Sequence, residues 1–465
     1  MSRKILFALK RYGPILLAGA LFAMGIYALV HLLRPVHPGD IMAQVRAMPA
    51  ASLALAFGAT AAAYAALVCY DWFGLRFIRR ELPGGVVALG GFLAFAFGNT
   101  IGVSAISGGA VRYRLYSAVG LSAMEVAAVS AYVAMALGTG LTLVGLGALA
   151  IHPHAIAGYL PYGTGTIRLI AAAALVGTLA VILTVSIRQS NLHLFRVTMH
   201  MPPPRDLLGQ AVVTLIDIAA ASFALWILLP AGKPDFATFL AVYSAAIMIG
   251  VLSHVPGGVG VFETVVLGVM PAAVPVSEAA AALLLFRLIY YLVPFALGFL
   301  VVALTEARAI SRFARRLLPR APEPMQPVLA ALHGLAPSLV AAVACGYGLY
   351  LGLISLVPGM RSDALAGGDL AAMILTQGGT LASALAGAGL VALSFGLVRR
   401  LRSAFVATLL LMLAGAGIAL ADRVDLENAA FLGLGVLLLL PFRGAFDQPV
   451  RAGRDLPPGR TGPGA

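Results

Sequence analysis

Apolar runs of about twenty residues, the length of a membrane-spanning helix, recur along this chain with few charges inside them. Lipid offers no hydrogen bonds, so a segment that crosses it must satisfy its backbone internally, and a helix does this within one run. The runs cover approximately 13–33, 50–75, 84–106, 107–120, 122–151, 163–187, 207–229, 236–255, 258–273, 276–304, 328–356, 369–398, 403–421 and 427–442. The expected fold is therefore an all-α polytopic membrane protein with about 14 hydrophobic segments. Composition agrees: 11% of the 465 residues are charged, against about 25% in a soluble domain. The first run ends without a small-residue cleavage site and reads as a membrane helix rather than a removed signal.

The net charge of +13 is concentrated in short loops, which makes it a topology signal rather than a nucleic-acid footprint. Basic clusters occur at Arg3–Arg11, Arg76–Arg80, Arg188–Arg205, Arg308–Arg320, Arg399–Arg402 and Arg443–Arg460, while the alternate loops hold little beyond Arg34, Arg46, Lys233, Arg361 and Arg423. This asymmetry places both termini in the cytoplasm. It also requires 84–120 to enter the membrane and return to the cytoplasmic side, and 236–273 to do the same from the opposite side. Each region holds an apolar run, a glycine-rich break and a short return: "NTIGVSAISGGAVRYRLYS" in the first, "SHVPGGVGVFE" in the second. A full crossing plus a short return, or a re-entrant hairpin, satisfies the parity equally. Two oppositely directed broken pairs at matching places suggest an inverted repeat and point to a transport site.

The charged, proline-rich stretch "RRLLPRAPEPMQP" marks a boundary. Residues 1–320 are expected to form a transporter-like transmembrane domain with breaks near 99–117 and 253–263. Residues 321–445 are expected to form a second bundle of four helices, and 446–465 a disordered cytoplasmic tail. Cys69 and Cys345 sit inside apolar runs without disulfide or metal spacing.

Ionisable groups at membrane depth cost about 2.5–3.5 kcal/mol each at a helix centre, so they mark pathways or partners. Arg112 and Arg114 follow Ser107, Gly108 and Gly109, where a half-helix start would aim free N–H groups at an anion. Their forked guanidiniums suit phosphate; anchoring at the cytoplasmic rim explains them equally well. Arg112 and Tyr116 share a helical face. Asp217 and Glu263 suit a cationic group or a proton relay, or structural pairing with Arg112, Arg114 or Arg287. Arg287 with Tyr290 and Tyr291 makes a polar stripe on a spanning helix. Glu125 and Glu278 fall near helix starts, where they compensate the helix dipole. No catalytic triad, metal-ligand cluster or nucleotide motif occurs, and no cofactor is expected.

"FGNTIGVSAISGGAVRYRLYSAVGLSAMEV", "SHVPGGVGVFETVVLGVM" and the closing "RLRSAFVATLLLMLAGAGIALADRV" through "LLLLPFRGAF" resemble the multiple peptide resistance factor family, the bacterial lysyl-phosphatidylglycerol synthase/flippase proteins. The resemblance covers about 1–445, and the sequence ends where the family's cytosolic synthase domain would begin. It implies a flippase of the bacterial cytoplasmic (inner) membrane that carries lysyl- or alanyl-phosphatidylglycerol to the outer leaflet and so confers resistance to cationic antimicrobial peptides. The implied partners are this phospholipid, the membrane, a separate synthase domain and a second copy in a homodimer. Arg112 and Arg114, with Ser107, Gly108, Gly109 and Tyr116, would take the phosphate, and Asp217 and Glu263 the ammonium; Arg287 with Tyr290 suits phosphate contact and an internal ion pair equally. Alternatives are the membrane part of a phosphatidylglycerol lysyltransferase whose catalytic domain is missing or separate, a transporter of another phosphorylated lipid such as a polyprenyl carrier, and a scaffold.

Overall fold

A computed structural model describes residues 43, 45–101, 104–153, 162–187, 191–194, 197–200, 204–253, 256–271, 274–310, 322–356, 370–421 and 426–446. The apolar run 13–33, His254 and the tail from 447 onward lie outside them. The chain divides into two compact units, Met1–Phe299 with Ala321–Ala331 and Leu300–Arg320 with Leu332–Ala465.

The first unit opens on helix α1 (Ala50–Phe77), followed by α2 (Gly84–Ile101), α3 (Ser104–Ser117), α4 (Ala123–Ile151) and α5 (Thr164–Ile187). After a short hairpin come α6 (Pro204–Leu228), α7 (Phe236–Leu252), a 3-10 turn (Pro256–Gly258), α8 (Val261–Gly268) and α9 (Val276–Phe286). A π-helical turn over Arg287–Leu292 then leads without interruption into α10 (Val293–Ile310). Among the described residues, Ala50–Phe77, Ala123–Ile151, Thr164–Thr184, Arg205–Leu228 and Val276–Glu306 are long and apolar enough to cross a membrane. Leu169 and Val176 of α5 are 71% and 65% exposed, an apolar outer face that only a lipid solvent favours.

Polar groups finish these helices where the chain leaves the apolar region. Ser122 and Glu125 form a capping box at α4, and Arg80 Nε donates to Glu125 Oε1 at 2.6 Å. Asp235 caps α7: its Oδ1 accepts from the backbone N–H groups of Ala237 and Thr238, each at 3.1 Å. The Thr238 hydroxyl on its other oxygen, together with these N–H groups, holds the Asp235 carboxyl below the usual carboxylate range. Lys233 Nζ donates to the Trp226 and Leu229 carbonyls at 2.7 and 2.9 Å, closing the C-terminal end of α6.

Among the described residues, one short hairpin interrupts the otherwise all-α fold. Strands β1 (Asn191–Leu194) and β2 (Val197–His200) pair antiparallel, with Asn191 opposite His200 and Leu194 opposite Val197. Both strands alternate polar and apolar residues, the two-residue period of a strand, inside a segment whose basic residues had marked it only as a loop.

Two packed hairpins of helices organise the first unit. Helix α3 runs back along α2: Ser107 Oγ contacts the Gly98 carbonyl at 3.5 Å, the Arg112 guanidinium lies 4.8 Å from the Phe95 ring centre, and Tyr116 packs over Gly90. Helix α8 runs back along α7: Gly258 lies against Gly250, and the Phe262 and Tyr243 rings are 5.7 Å apart. The return helices have 14 and 8 residues. At 1.5 Å per residue they reach about 21 and 12 Å, short of a hydrocarbon core of about 30 Å.

The second unit contains the end of α10, then α12 (Ala336–Leu356), α13 (Leu370–Val398), α14 (Arg402–Ala421) and α15 (Leu426–Leu439), the last closed by a 3-10 turn over Leu440–Phe446. The short helix α11 (Gln326–Leu332) precedes α12 in the chain. Helices α12 and α13 cross at Gly348 and Gly387, where a Cβ on either would come within 2.6 Å of the other's carbonyl oxygen. Such close backbone approach through small residues is how helices associate in lipid, where apolar burial gives little drive. Phe405 stacks on Phe446 at 4.6 Å and holds the closing turn against α14.

Candidate functional site

Arg112 lies on the inner face of α3, with its side chain 5% exposed. Its Nε donates to Asp71 Oδ1 at 2.6 Å, and the Tyr116 hydroxyl donates to Asp71 Oδ2 at 3.1 Å. The one-face relation of Arg112 and Tyr116 thus has a physical purpose: both converge on a single carboxylate of α1. Asp71 is completely buried. It fits because α2 has no side chain opposite it: a Cβ on Gly91 would stand 2.8 Å from Asp71 Oδ2, and one on Gly90 would stand 2.9 Å from the Tyr116 hydroxyl oxygen.

A second pair, with Glu263 buried and Arg287 partly buried, is built on the second hairpin. Glu263, in the first turn of α8, accepts the Gly260 N–H on Oε2 at 2.8 Å. Its Oε1 accepts from Arg287 Nε at 2.6 Å, while Arg287 Nη1 donates to the Gly257 carbonyl at 2.6 Å. The Arg287 guanidinium lies 4.7 Å from the Tyr291 ring centre and 5.6 Å from that of Phe262. Gly257, Gly258 and Gly260 all have positive φ (62°, 62° and 83°), a conformation that lets this loop turn tightly under the guanidinium.

The two sites share a chemical design. Each has a guanidinium, a carboxylate on Nε and an aromatic ring alongside. In each, Nη2 is buried with no hydrogen-bond acceptor among the described residues. Leaving a guanidinium donor dry and unmatched is costly, so an anionic oxygen brought to either Nη2 would satisfy it.

The two breaks also meet. The Asn99 carbonyl lies 3.6 Å from where a Cβ on Gly257 would stand, and Thr100 Oγ1 donates to the Tyr291 carbonyl at 3.3 Å. Tyr64 of α1 donates to the Tyr290 carbonyl at 3.2 Å, and the Tyr64 and Tyr290 rings lie 5.6 Å apart. The π turn accounts for those two carbonyls: its wider hydrogen-bond pattern frees acceptors that an α-helix would use internally.

The other expected residues separate from these pairs. Arg114 and Tyr113 are exposed, and Arg114 Nε donates to the Ala331 carbonyl at 3.2 Å, a placement that suits rim anchoring. Gly108 and Gly109 are not at a helix start as expected, because α3 begins at Ser104. Gly108 instead permits close helix contact, since a Cβ there would meet the Ala94 carbonyl at 2.9 Å. Asp217 is 3% exposed and lies apart from both arginines, with the Tyr70 hydroxyl 3.4 Å from its Oδ2. Tyr290 is buried and stacks on Phe286 at 5.2 Å.

Sequence reasoning missed Asp71, Phe95, Tyr64, Tyr70 and Thr214. Asp71 had a visible signal, a lone acid inside an apolar run. The others look like ordinary core residues until the helices are assembled.

Residues 15–298 match the family described as the lysylphosphatidylglycerol synthase TM region. The chain is 29% identical over 296 residues to an uncharacterized protein of Synechocystis sp., covering 62% of this chain and 89% of that protein. It is 25% identical over 297 residues to the inner membrane protein YbhN of Escherichia coli, covering 62% and 91%. A shorter stretch of 60 residues is 42% identical to the phosphatidylglycerol lysyltransferase of Staphylococcus haemolyticus, covering 13% of this chain and 7% of that enzyme.

Proposed function

We propose that this chain, which belongs to the lysylphosphatidylglycerol synthase TM-region family, is a flippase that carries aminoacylated phosphatidylglycerol from the inner to the outer leaflet of the bacterial cytoplasmic membrane. The observation that carries this reading is the meeting of two broken helical hairpins at Asn99 and Gly257, with Arg287 bonded at that junction and Arg112 on the first hairpin, the Nη2 of each having no acceptor among the described residues. Broken helices that meet inside a bundle are where transporters expose a site alternately to the two sides.

Charge explains the choice of headgroup. Arg112 with Asp71, and Arg287 with Glu263, are each neutral pairs. A phosphate oxygen that takes Nη2 competes with the carboxylate for the same guanidinium, and a carboxylate released in lipid needs a new cation. An aminoacyl headgroup brings both charges: its phosphate meets the arginine and its ammonium meets the acid. Unmodified phosphatidylglycerol brings only the phosphate and leaves the acid uncompensated. The lysyl and alanyl lipids both fit this rule. The resulting loss of negative surface charge would lower binding of cationic peptides.

The 60-residue similarity to phosphatidylglycerol lysyltransferase favours a second reading, in which this chain is the membrane part of an enzyme with a separate catalytic domain. Cells that make lysyl-phosphatidylglycerol from a separate synthase distinguish the two. Under the flippase reading, Arg112→Ala and Glu263→Ala variants present at wild-type abundance leave total lysyl-lipid unchanged and deplete it from the outer leaflet. A fall in the total with normal leaflet distribution supports the enzyme reading, and wild-type exposure in both variants sinks the proposed lipid site.

A further inference from the structure

Asp217 is a buried carboxyl in the middle of α6 that the paired arginines leave unused. It is 3% exposed, and no Arg, Lys or His pairs with it among the described residues. Among the described residues, the titratable groups in electrostatic range of it are tyrosines: Tyr64 and Tyr70 of α1, Tyr243 of α7 and Tyr290 of the π turn. Helix α4 adds Tyr132, farther along the same hydrogen-bonded chain. A carboxylate held in lipid without a cation is unfavourable, and the group escapes the penalty by taking a proton.

The chain of partners around Asp217 accommodates both forms. Tyr132 donates to Gln210 Oε1 at 3.3 Å, and Gln210 Nε2 donates to Thr214 Oγ1 at 3.2 Å. The Tyr70 hydroxyl lies 2.9 Å from Thr214 Oγ1 and 3.4 Å from Asp217 Oδ2, with a single hydrogen for both. When Asp217 is ionised, Thr214 donates to Tyr70 and Tyr70 donates to the carboxylate. When Asp217 is protonated, its own O–H donates to the Tyr70 oxygen and Tyr70 turns its hydrogen to Thr214. Two hydroxyl rotations interconvert the states, and no heavy atom moves.

This ladder also leads out of the interior. Gln210, Thr214 and Asp217 lie on one face of α6, over a rise of about 10 Å. Tyr132 lies within electrostatic range of Asp206. Asp206, in the first turn of α6, pairs with Arg76 at 3.2 Å, and the Arg76 side chain is 38% exposed. At the inner end, Tyr290 stands beside Tyr291, the ring that carries Arg287.

We propose that Asp217 is a proton-binding site and that it takes up and releases one proton in each cycle of lipid movement. The proton comes from water and returns to water, and the only bond made and broken is the carboxyl O–H. The coupling part of this inference rests on the flippase reading; the proton site itself does not.

The test uses the full-length protein in vesicles of phosphatidylcholine and phosphatidylglycerol with a pH dye trapped inside. Lysyl-phosphatidylglycerol is added to one leaflet only. Its movement is expected to carry a proton flux in wild type, and Asp217→Asn and Tyr70→Phe are expected to lower that flux to the level of protein-free vesicles. In parallel, infrared difference spectra over a pH series read the carbonyl band of a protonated carboxyl. That band is expected in wild type and absent in Asp217→Asn, whose near-identical shape preserves packing. Lipid movement without proton flux overturns the coupling. A band that is missing from wild type, or that persists in Asp217→Asn, overturns the proton site. If wild type moves no lysyl-lipid, the flippase reading falls while the infrared band still decides the proton site.

Discussion

Arg112 and Asp71 lie 41 residues apart in sequence and 2.6 Å apart in space. Removing one member of such a pair strands the other in a medium that cannot solvate it, at a cost of about 3–5 kcal/mol. Asp71→Ala alone is therefore expected to reduce the folded fraction, seen as lower detergent-extractable protein and a lower melting temperature. Asp71→Leu combined with Arg112→Met removes both charges at similar volume. It is expected to recover most of that stability, because buried ion pairs often contribute little net stability, while lipid movement stays lost. A double variant as unstable as Asp71→Ala would show that the pair is a structural fastener. A double variant with normal transport would remove Arg112 from the lipid site. The arginine could be singled out from sequence because charge in an apolar run is conspicuous. Its partner could not be assigned, since pairing depends on how α1, α2 and α3 assemble.

The hairpins depend on glycine where two backbones or a buried polar group need the space. A Cβ on Gly91 would stand 2.8 Å from Asp71 Oδ2, and one on Gly108 would stand 2.9 Å from the Ala94 carbonyl. Gly91→Val and Gly108→Val are expected to open the first hairpin, read as new labelling of a cysteine placed at Leu115, which is fully buried in the native fold. Unchanged labelling in both would contradict the close packing of α2 on α3. Capping gives a milder expectation. Asp235→Ala should cost about 1 kcal/mol. Because the Asp235 pKa is depressed in the fold, that contribution is present above the unfolded value of about 3.9 and disappears as pH falls through the folded one. Wild-type and Asp235→Ala melting temperatures should then converge in acid. The spanning helices among the described residues were legible because lipid contact demands long apolar runs, and the second break was legible because glycine and proline interrupt it; in the first region Gly108 and Gly109 fall inside a helix that begins at Ser104. The π turn "RLIYYL" carried no comparable mark: its residues suit an ordinary helix, and its wider turn becomes apparent only where it meets Thr100 and Tyr64.

Across the whole first unit, one neutral pair stands at the junction of two interrupted hairpins and another on the first hairpin, each with a guanidinium nitrogen that has no acceptor among the described residues. Apolar patterning is common to many membrane proteins and identifies the class but not the cargo. A small number of charges, Arg112, Asp71, Arg287 and Glu263, select the cargo proposed above. Purified protein in vesicles carrying lysyl-phosphatidylglycerol, with a membrane-impermeant amine reagent scoring the outer leaflet over time, tests it most directly. Wild type should equilibrate lysyl-lipid between leaflets faster than Arg112→Gln with Arg287→Gln, and should leave unmodified phosphatidylglycerol behind. Equal rates for wild type, the double variant and protein-free vesicles would contradict the assignment.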